Sequence, residues 1–166
     1  KLDWDSLCMA TLPLLTQTTS DEDFVNGLKH LCSQLHDAHT YVFPFNNPSN
    51  SKDRFRPFPM KTKRVGNQVF VTDVYNTDFK ERGLCTGCEI LEIDGEKVLD
   101  YAKNHIQPYT SYSTSQWYDY APFREYELTT EKGSKVSTIL FRNIKGKTFS
   151  ITSSRNIKWD ISNKTL

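Results

Sequence analysis

The run Arg82-Gly83-Leu84-Cys85-Thr86-Gly87-Cys88-Glu89-Ile90-Leu91-Glu92-Ile93-Asp94-Gly95-Glu96-Lys97-Val98 constrains this chain more than any other segment. It reads as a turn, a short strand, a tight turn and a second short strand. Gly83 and Gly87 stand where the chain must bend, because glycine alone accepts positive φ cheaply. Ile90, Leu91 and Ile93 form an apolar run of strand length. Asp94-Gly95 is a two-residue hairpin signal. At least part of the molecule is therefore expected to be antiparallel sheet.

The sequence has 166 residues, enough to bury a core and to form one or two domains. Its 21 basic and 20 acidic residues leave a net charge of +1. That balance gives no electrostatic footprint for nucleic acid or for a charged membrane surface. No apolar stretch approaches the length of a membrane span. No basic-then-apolar leader opens the sequence, so any targeting peptide is expected to be absent already. The 37% apolar and 13% aromatic content suggests a β-rich, loop-rich protein.

The four cysteines are Cys8, Cys32, Cys85 and Cys88. The single C-x-x-C pair offers two of the four ligands that a structural zinc needs, so neither a metal nor another cofactor is expected. A thioredoxin-type pair would sit between a strand and a helix, whereas Cys85 and Cys88 sit in a turn that enters a strand. They are read as structural or incidental cysteines, with a local disulfide left open. Cys8 and Cys32 fall on the apolar faces of two helices and read as small core residues.

Trp4, Leu7, Cys8, Leu12 and Leu15 recur at helical spacing, with Pro13 expected to kink or shorten that helix. A second helix opens at Ser20, a good N-cap, followed by Asp21, Glu22 and Asp23 at the positive end of its dipole. Phe24, Leu28, Leu31, Cys32 and Leu35 give it one apolar stripe. The short Thr18-Thr19 connection makes the two an antiparallel pair. The second helix is expected to end near His36-Asp37, with His39 to Phe45 a strand. Residues 46–59, with three prolines and several Asn and Ser, read as a linker. Strands are expected over Met60–Val65 and Val69–Val74 around a Gly66-Asn67 turn. A helical turn is expected over Thr77–Arg82, and partial helix over Leu99–Tyr120, broken at Pro108. Strands are expected again over Glu125–Thr130, Val136–Arg142 and Thr148–Thr152, the last two joined through Lys145-Gly146. The fold class is therefore α+β: a small N-terminal helical pair, residues 1–45, and a β-rich domain, residues 60–155, with residues 156–166 starting a connection.

The opening run resembles the glycine-containing core of a PDZ domain, G-L-x-x-G-D-x-I-L-x-I-D-G, with Cys88 where that pattern has Asp. Upstream, Asp37-Ala38-His39-Thr40 closes the helical region, with Ala38 where the related pattern D-G-H-T has Gly. Order and spacing together resemble the N-terminal part of the C-terminal-processing (tail-specific) and tricorn-like serine peptidases, from about Trp4 to Arg155. The resemblance implies a PDZ-like domain that recognises or presents polypeptide substrate to a catalytic module. That module, with its nucleophilic serine, is not represented in the sequence. The chain is thus expected to be a non-catalytic fragment, inactive alone, of a periplasmic or extracellular serine peptidase. Its partners would be polypeptide and the parent protein's catalytic domain. The alternative is a stand-alone peptide-binding adaptor without enzymatic activity. A redox or metal protein built on Cys85 and Cys88 is a third reading.

The resemblance singles out His39, which in the tricorn-like branch activates the catalytic serine and in the tail-specific branch is structural. A serine hydroxyl is a weak nucleophile at neutral pH and needs such a base within hydrogen-bond reach. The structural reading of His39 has it pinning a helix end onto a strand, with Asp37 bracing the turn. A PDZ-like domain would bind a peptide by strand addition, its carboxylate meeting backbone N–H groups of a loop. By position that loop is Arg64, Val65, Gly66 and Asn67, and the strand runs from Gln68 through Val69, Phe70 and Val71. The opposing reading is that the chain itself covers this edge. The Tyr112–Trp117 patch, with Ser113, Thr114 and Ser115, lacks the strained turn of a serine nucleophile and reads as capping and surface hydrogen bonding.

Overall fold

A computed structural model describes residues 2–42, 58–124, 128, 136–154, 157 and 160. The chain divides into two compact units, residues 1–51 with 107–121 and residues 52–106 with 122–166.

The first unit holds the helical pair. Helix α1 spans Trp4–Thr16, and the Asp3 carboxylate accepts from the Ser6 N–H at 3.2 Å as its N-cap. Pro13 lies inside α1 without shortening it. The last turn holds because Leu15 is buried and its carbonyl accepts from the Thr18 hydroxyl at 2.8 Å. Helix α2 spans Asp21–Ser33, with Ser20 accepting from the Asp23 N–H at 3.1 Å. A Cβ on Gly27 would collide with the Leu15 side chain, so α1 and α2 meet closely there. The chain turns off α2 through His36, whose φ of +54° is left-handed. No strand forms over His39–Val42, contrary to expectation; those residues form a turn and irregular backbone, and Phe43–Phe45 lie outside the described residues.

Residues 107–121, read from sequence as part of the β-rich domain, pack with the helices instead. The physical reason is a set of hydrogen bonds that no local pattern reveals. The Pro108 carbonyl accepts from the Ser33 hydroxyl at 2.8 Å and lies 3.0 Å from His30 Nδ1. The buried Gln107 side chain donates to the Tyr118 carbonyl at 3.1 Å. Helix α5, Ser115–Tyr120, is capped by the Thr114 hydroxyl, which accepts from the Trp117 N–H.

The second unit is an antiparallel sheet beside short helices, which makes the fold class α+β. Strands β1 (Met60–Val65), β2 (Gln68–Val74), β3 (Glu89–Ile93), β5 (Val136–Arg142) and β6 (Thr148–Ser154) lie in the order β1-β2-β3-β5-β6, and β4 (Glu96–Lys97) pairs with β3. Alternation sets which side chains go inward: Ser137, Ile139 and Phe141 of β5 are buried while their neighbours are not. Inward residues of the strands join Phe79 of α3 (Thr77–Glu81) and Val98 and Tyr101 of α4 (Val98–Tyr101) in one apolar cluster. Phe58 and Pro59, read as the end of a linker, are buried; residues 46–57 lie outside the described residues. The expected strand Glu125–Thr130 also lies outside them, apart from Leu128, which is buried. In the tail, Asp160 accepts from the Thr77 N–H at 2.7 Å and donates its own N–H to Tyr75 at 2.6 Å.

The opening run folds locally as read. Helix α3 ends in a Schellman motif: Leu84 N–H donates to the Phe79 carbonyl at 2.9 Å and Gly83 N–H to Lys80 at 3.0 Å, with Gly83 at φ +98°. Asp94-Gly95 joins β3 to β4, and Asp94 has φ +52°.

Candidate functional site

Three residues build the turn that presents His39. The Asp37 carboxylate accepts from the Thr40 hydroxyl at 2.7 Å and from the His39 backbone N–H at 3.1 Å. The same carboxylate lies 3.3 Å from His39 Nδ1. This is an Asx-type turn, which an aspartate forms from its own neighbours. Those hydrogen bonds hold the Asp37 carboxyl below the usual carboxylate range, the Thr40 hydroxyl contributing most.

Two further hydroxyls hold the turn from outside. Ser113 Oγ accepts from the Ala38 N–H at 2.8 Å, and Ser111 Oγ donates to the Thr40 carbonyl at 2.5 Å. Beside them the His36 ring lies 4.7 Å from Tyr112, which lies 4.5 Å from Tyr118. Sequence reasoning found Asp37 and foresaw surface hydrogen bonding around Ser113, but not these partners. The only available signal was the hydroxyl-rich stretch Thr110–Ser115.

The His39 side chain is 94% exposed, and among the described residues its ring bonds only to Asp37. Among the described residues 39–42 no strand follows the turn for the ring to pin, and the imidazole is exposed to solvent. With its proton on Nδ1 it donates to Asp37 and leaves Nε2 free to accept a proton. The Asp37 carboxylate thus orients the imidazole from its Nδ1 side. The hydroxyls of Thr40, Ser111 and Ser113 serve the turn itself.

The expected peptide site is the β1–β2 hairpin. Its turn residues Val65, Gly66, Asn67 and Gln68 are exposed, but Arg64 is engaged locally. Arg64 Nε donates to the Gly66 carbonyl at 2.7 Å, and the guanidinium lies 5.3 Å over the Phe123 ring. Val69 and Val71 face the core, with Phe70 half-buried between them. Strand β2 has no open edge at these positions. It pairs with β1 on one side and β3 on the other, through Val69 opposite Ile90 and Phe70 opposite Glu89. Strand addition to β2 is therefore blocked by the chain's own β3.

Among the described residues no cluster of three or more His, Cys, Asp or Glu could hold a metal ion, and no helix is long and apolar enough to cross a membrane.

No protein-family model matches the sequence, and no curated protein matches it. Solved structures of similar fold include those of CPAF, a chlamydial serine protease. Mature CPAF superposes with a TM-score of 0.62 at 16% identity, a Ser→Ala mutant of CPAF with 0.65 at 18%, and mature CPAF complexed with lactacystin with 0.67 at 16%. Each match covers 92% of this chain. The chain spans only 28% to 29% of the length of those proteins. At this identity the likeness is one of fold.

Proposed function

We propose that this chain is the N-terminal region, inactive on its own, of a serine peptidase of the tail-specific or tricorn-like type. In this reading residues 60–106 and 122–155, the sheet-bearing part of the chain, form a PDZ-like unit that recognises or presents polypeptide, in the periplasm or outside the cell. The observation that carries the proposal is the His39 turn: an exposed imidazole, oriented by a carboxylate, with its second nitrogen open. That is what a base needs if its serine comes from another module. The CPAF-like fold over nearly the whole chain is consistent with it.

His39 Nε2 would take the proton of a serine Oγ as the oxygen attacks a peptide carbonyl. Asp37 would steady the imidazolium that results. The geometry favours this role over a purely structural one because the imidazole is exposed where a bracing histidine would be packed. A peptide's C-terminal carboxylate is proposed to meet the Val65–Gln68 turn rather than the edge of β2.

The chain alone is expected to cleave neither casein nor labelled peptides. Turnover that co-purifies with it would overturn the reading. The reading frame supplies an independent test. Several hundred further residues carrying a serine on a strand-to-helix turn would support a peptidase, and a stop codon near Leu166 would instead favour a stand-alone peptide-binding adaptor. In such a longer protein His39→Ala should lower kcat by roughly 100- to 10,000-fold, the range for loss of a general base. Unchanged kcat would return His39 to a structural role. Peptides with free C-termini should bind the chain more tightly than their amidated forms, read by fluorescence polarisation; equal affinities would remove the carboxylate contact.

A further inference from the structure

Cys85 and Cys88 play no part in the function proposed above, yet their geometry is specific. Cys85-Thr86-Gly87-Cys88 is a closed β-turn, in which the Cys88 N–H donates to the Cys85 carbonyl at 3.1 Å. Gly87, the third residue, has φ +89°, as a type II turn requires. A turn closed in this way holds its end Cα atoms within about 7 Å, near the span a disulfide bridges. The two sulfurs already face each other at 3.6 Å as thiols.

The two thiols differ in access. Cys85 is exposed, whereas Cys88 has 0% of its surface in solvent. Burial pushes the Cys88 thiol up. The turn is held to β2 by backbone bonds: Gly87 N–H to the Val71 carbonyl at 2.9 Å and Val71 N–H to the Cys88 carbonyl at 2.8 Å. The Thr86 hydroxyl adds a bond to the Thr72 carbonyl at 2.8 Å. A sulfur–sulfur link would thus join side chains that the backbone has already brought together.

We propose that Cys85 and Cys88 are a redox-active dithiol, in which Cys85 meets a low-molecular-weight disulfide of the glutathione type and Cys88 resolves the mixed disulfide. In the first step the Cys85 thiolate attacks one sulfur of the small disulfide. A bond forms from Cys85 Sγ, the small disulfide breaks, and one small thiol leaves with a proton. In the second step Cys88 gives up its proton and attacks Cys85 Sγ. The Cys85–Cys88 bond forms and the second small thiol leaves. Two protein thiols are oxidised and one small disulfide is reduced to two thiols, so electrons and protons balance. Burial keeps Cys88 from reacting with outside partners, and its contact with Cys85 makes the second step intramolecular.

The test treats the folded chain with glutathione disulfide and maps every cysteine by mass spectrometry. The expected product is a Cys85–Cys88 crosslink lacking two hydrogens, with no glutathione retained at either position. Cys88→Ser should stop at a stable glutathione adduct on Cys85, and Cys85→Ser should leave Cys88 unmodified. Because Cys88→Ser places a hydroxyl in an apolar core, Cys88→Ala is run beside it and circular dichroism checks that both fold. A persistent adduct on Cys85 in the presence of Cys88 would overturn the proposal. So would no reaction at either thiol, or ready modification of Cys88 in the folded Cys85→Ser variant.

Discussion

Asp37 shows how much one side chain settles at this site. Its carboxylate accepts from its own neighbours and fixes both the backbone and the ring of His39. Because those bonds favour the ionised form, its pKa lies below the ordinary value of about 3.9. A lowered carboxylate stabilises the fold fully above that ordinary value, and the contribution is lost as pH falls through the folded value. The carboxylate is 44% exposed, so solvent screening keeps the contribution small. In an NMR titration the Asp37 carboxyl carbon should show a step centred below about pH 3.9, sensed also by the His39 and Thr40 amides that it holds. In Asp37→Asn the step should vanish and both amides should exchange faster. A carboxyl-carbon step centred at higher pH would contradict the assignment. The sequence made Asp37 legible because an Asx-type turn is built within four residues. It could not show that Ser113 holds Ala38, since a hydroxyl serves any amide the fold brings to it. Nor could it show the exposure of His39, which depends on what does not pack there.

At the level of elements, sequence signals worked where the physics is local. Gly83 and Gly87 mark a Schellman motif and a type II turn, and both take the positive φ those turns demand. Alternation marked β1, β2, β5 and β6 to within two residues. The status of an edge was not legible. Whether β2 lies inside a sheet depends on strand order, and the alternation of Gln68–Val74 is the same either way. Likewise nothing in residues 107–121 announces that they belong with helices that precede them by seventy residues. The turn at Gly87 yields a sharp prediction. An alanine there would meet left-handed strain and a Cβ contact of 3.3 Å with Ile144 Cγ2. Gly87→Ala should cost roughly 1–2 kcal/mol of stability, read from the urea midpoint. An unchanged midpoint would mean that the turn relaxes without cost.

Across the whole molecule, burial is distributed unevenly between the two units. The apolar cluster runs from Phe58 to Ile151, and all of it lies within residues 52–106 and 122–166. Among the described residues the other unit buries only Leu15, Ser33, Gln107 and Ala121, while Met9 and Leu14 of α1 stay 70% and 67% exposed. Apolar burial is the main favourable term in folding, so the helical unit has far less to offset the entropy of ordering its chain. It relies instead on hydrogen bonds such as Ser33 to Pro108 and Gln107 to Tyr118, each of which contributes modestly. Local opening should follow this division. In native-state hydrogen exchange, the amides of α1 and α2 should exchange through openings of lower free energy than those of β2, β3 and β5. Added denaturant should merge the sheet amides into one cooperative class before it reaches the helices' faster exchange. Equal protection across both units would mean that the helical pair draws stability from a source other than its own burial. The His39 turn sits in the weaker unit, so a serine module that docked there should slow exchange at Asp37–Thr40 and leave the sheet unchanged.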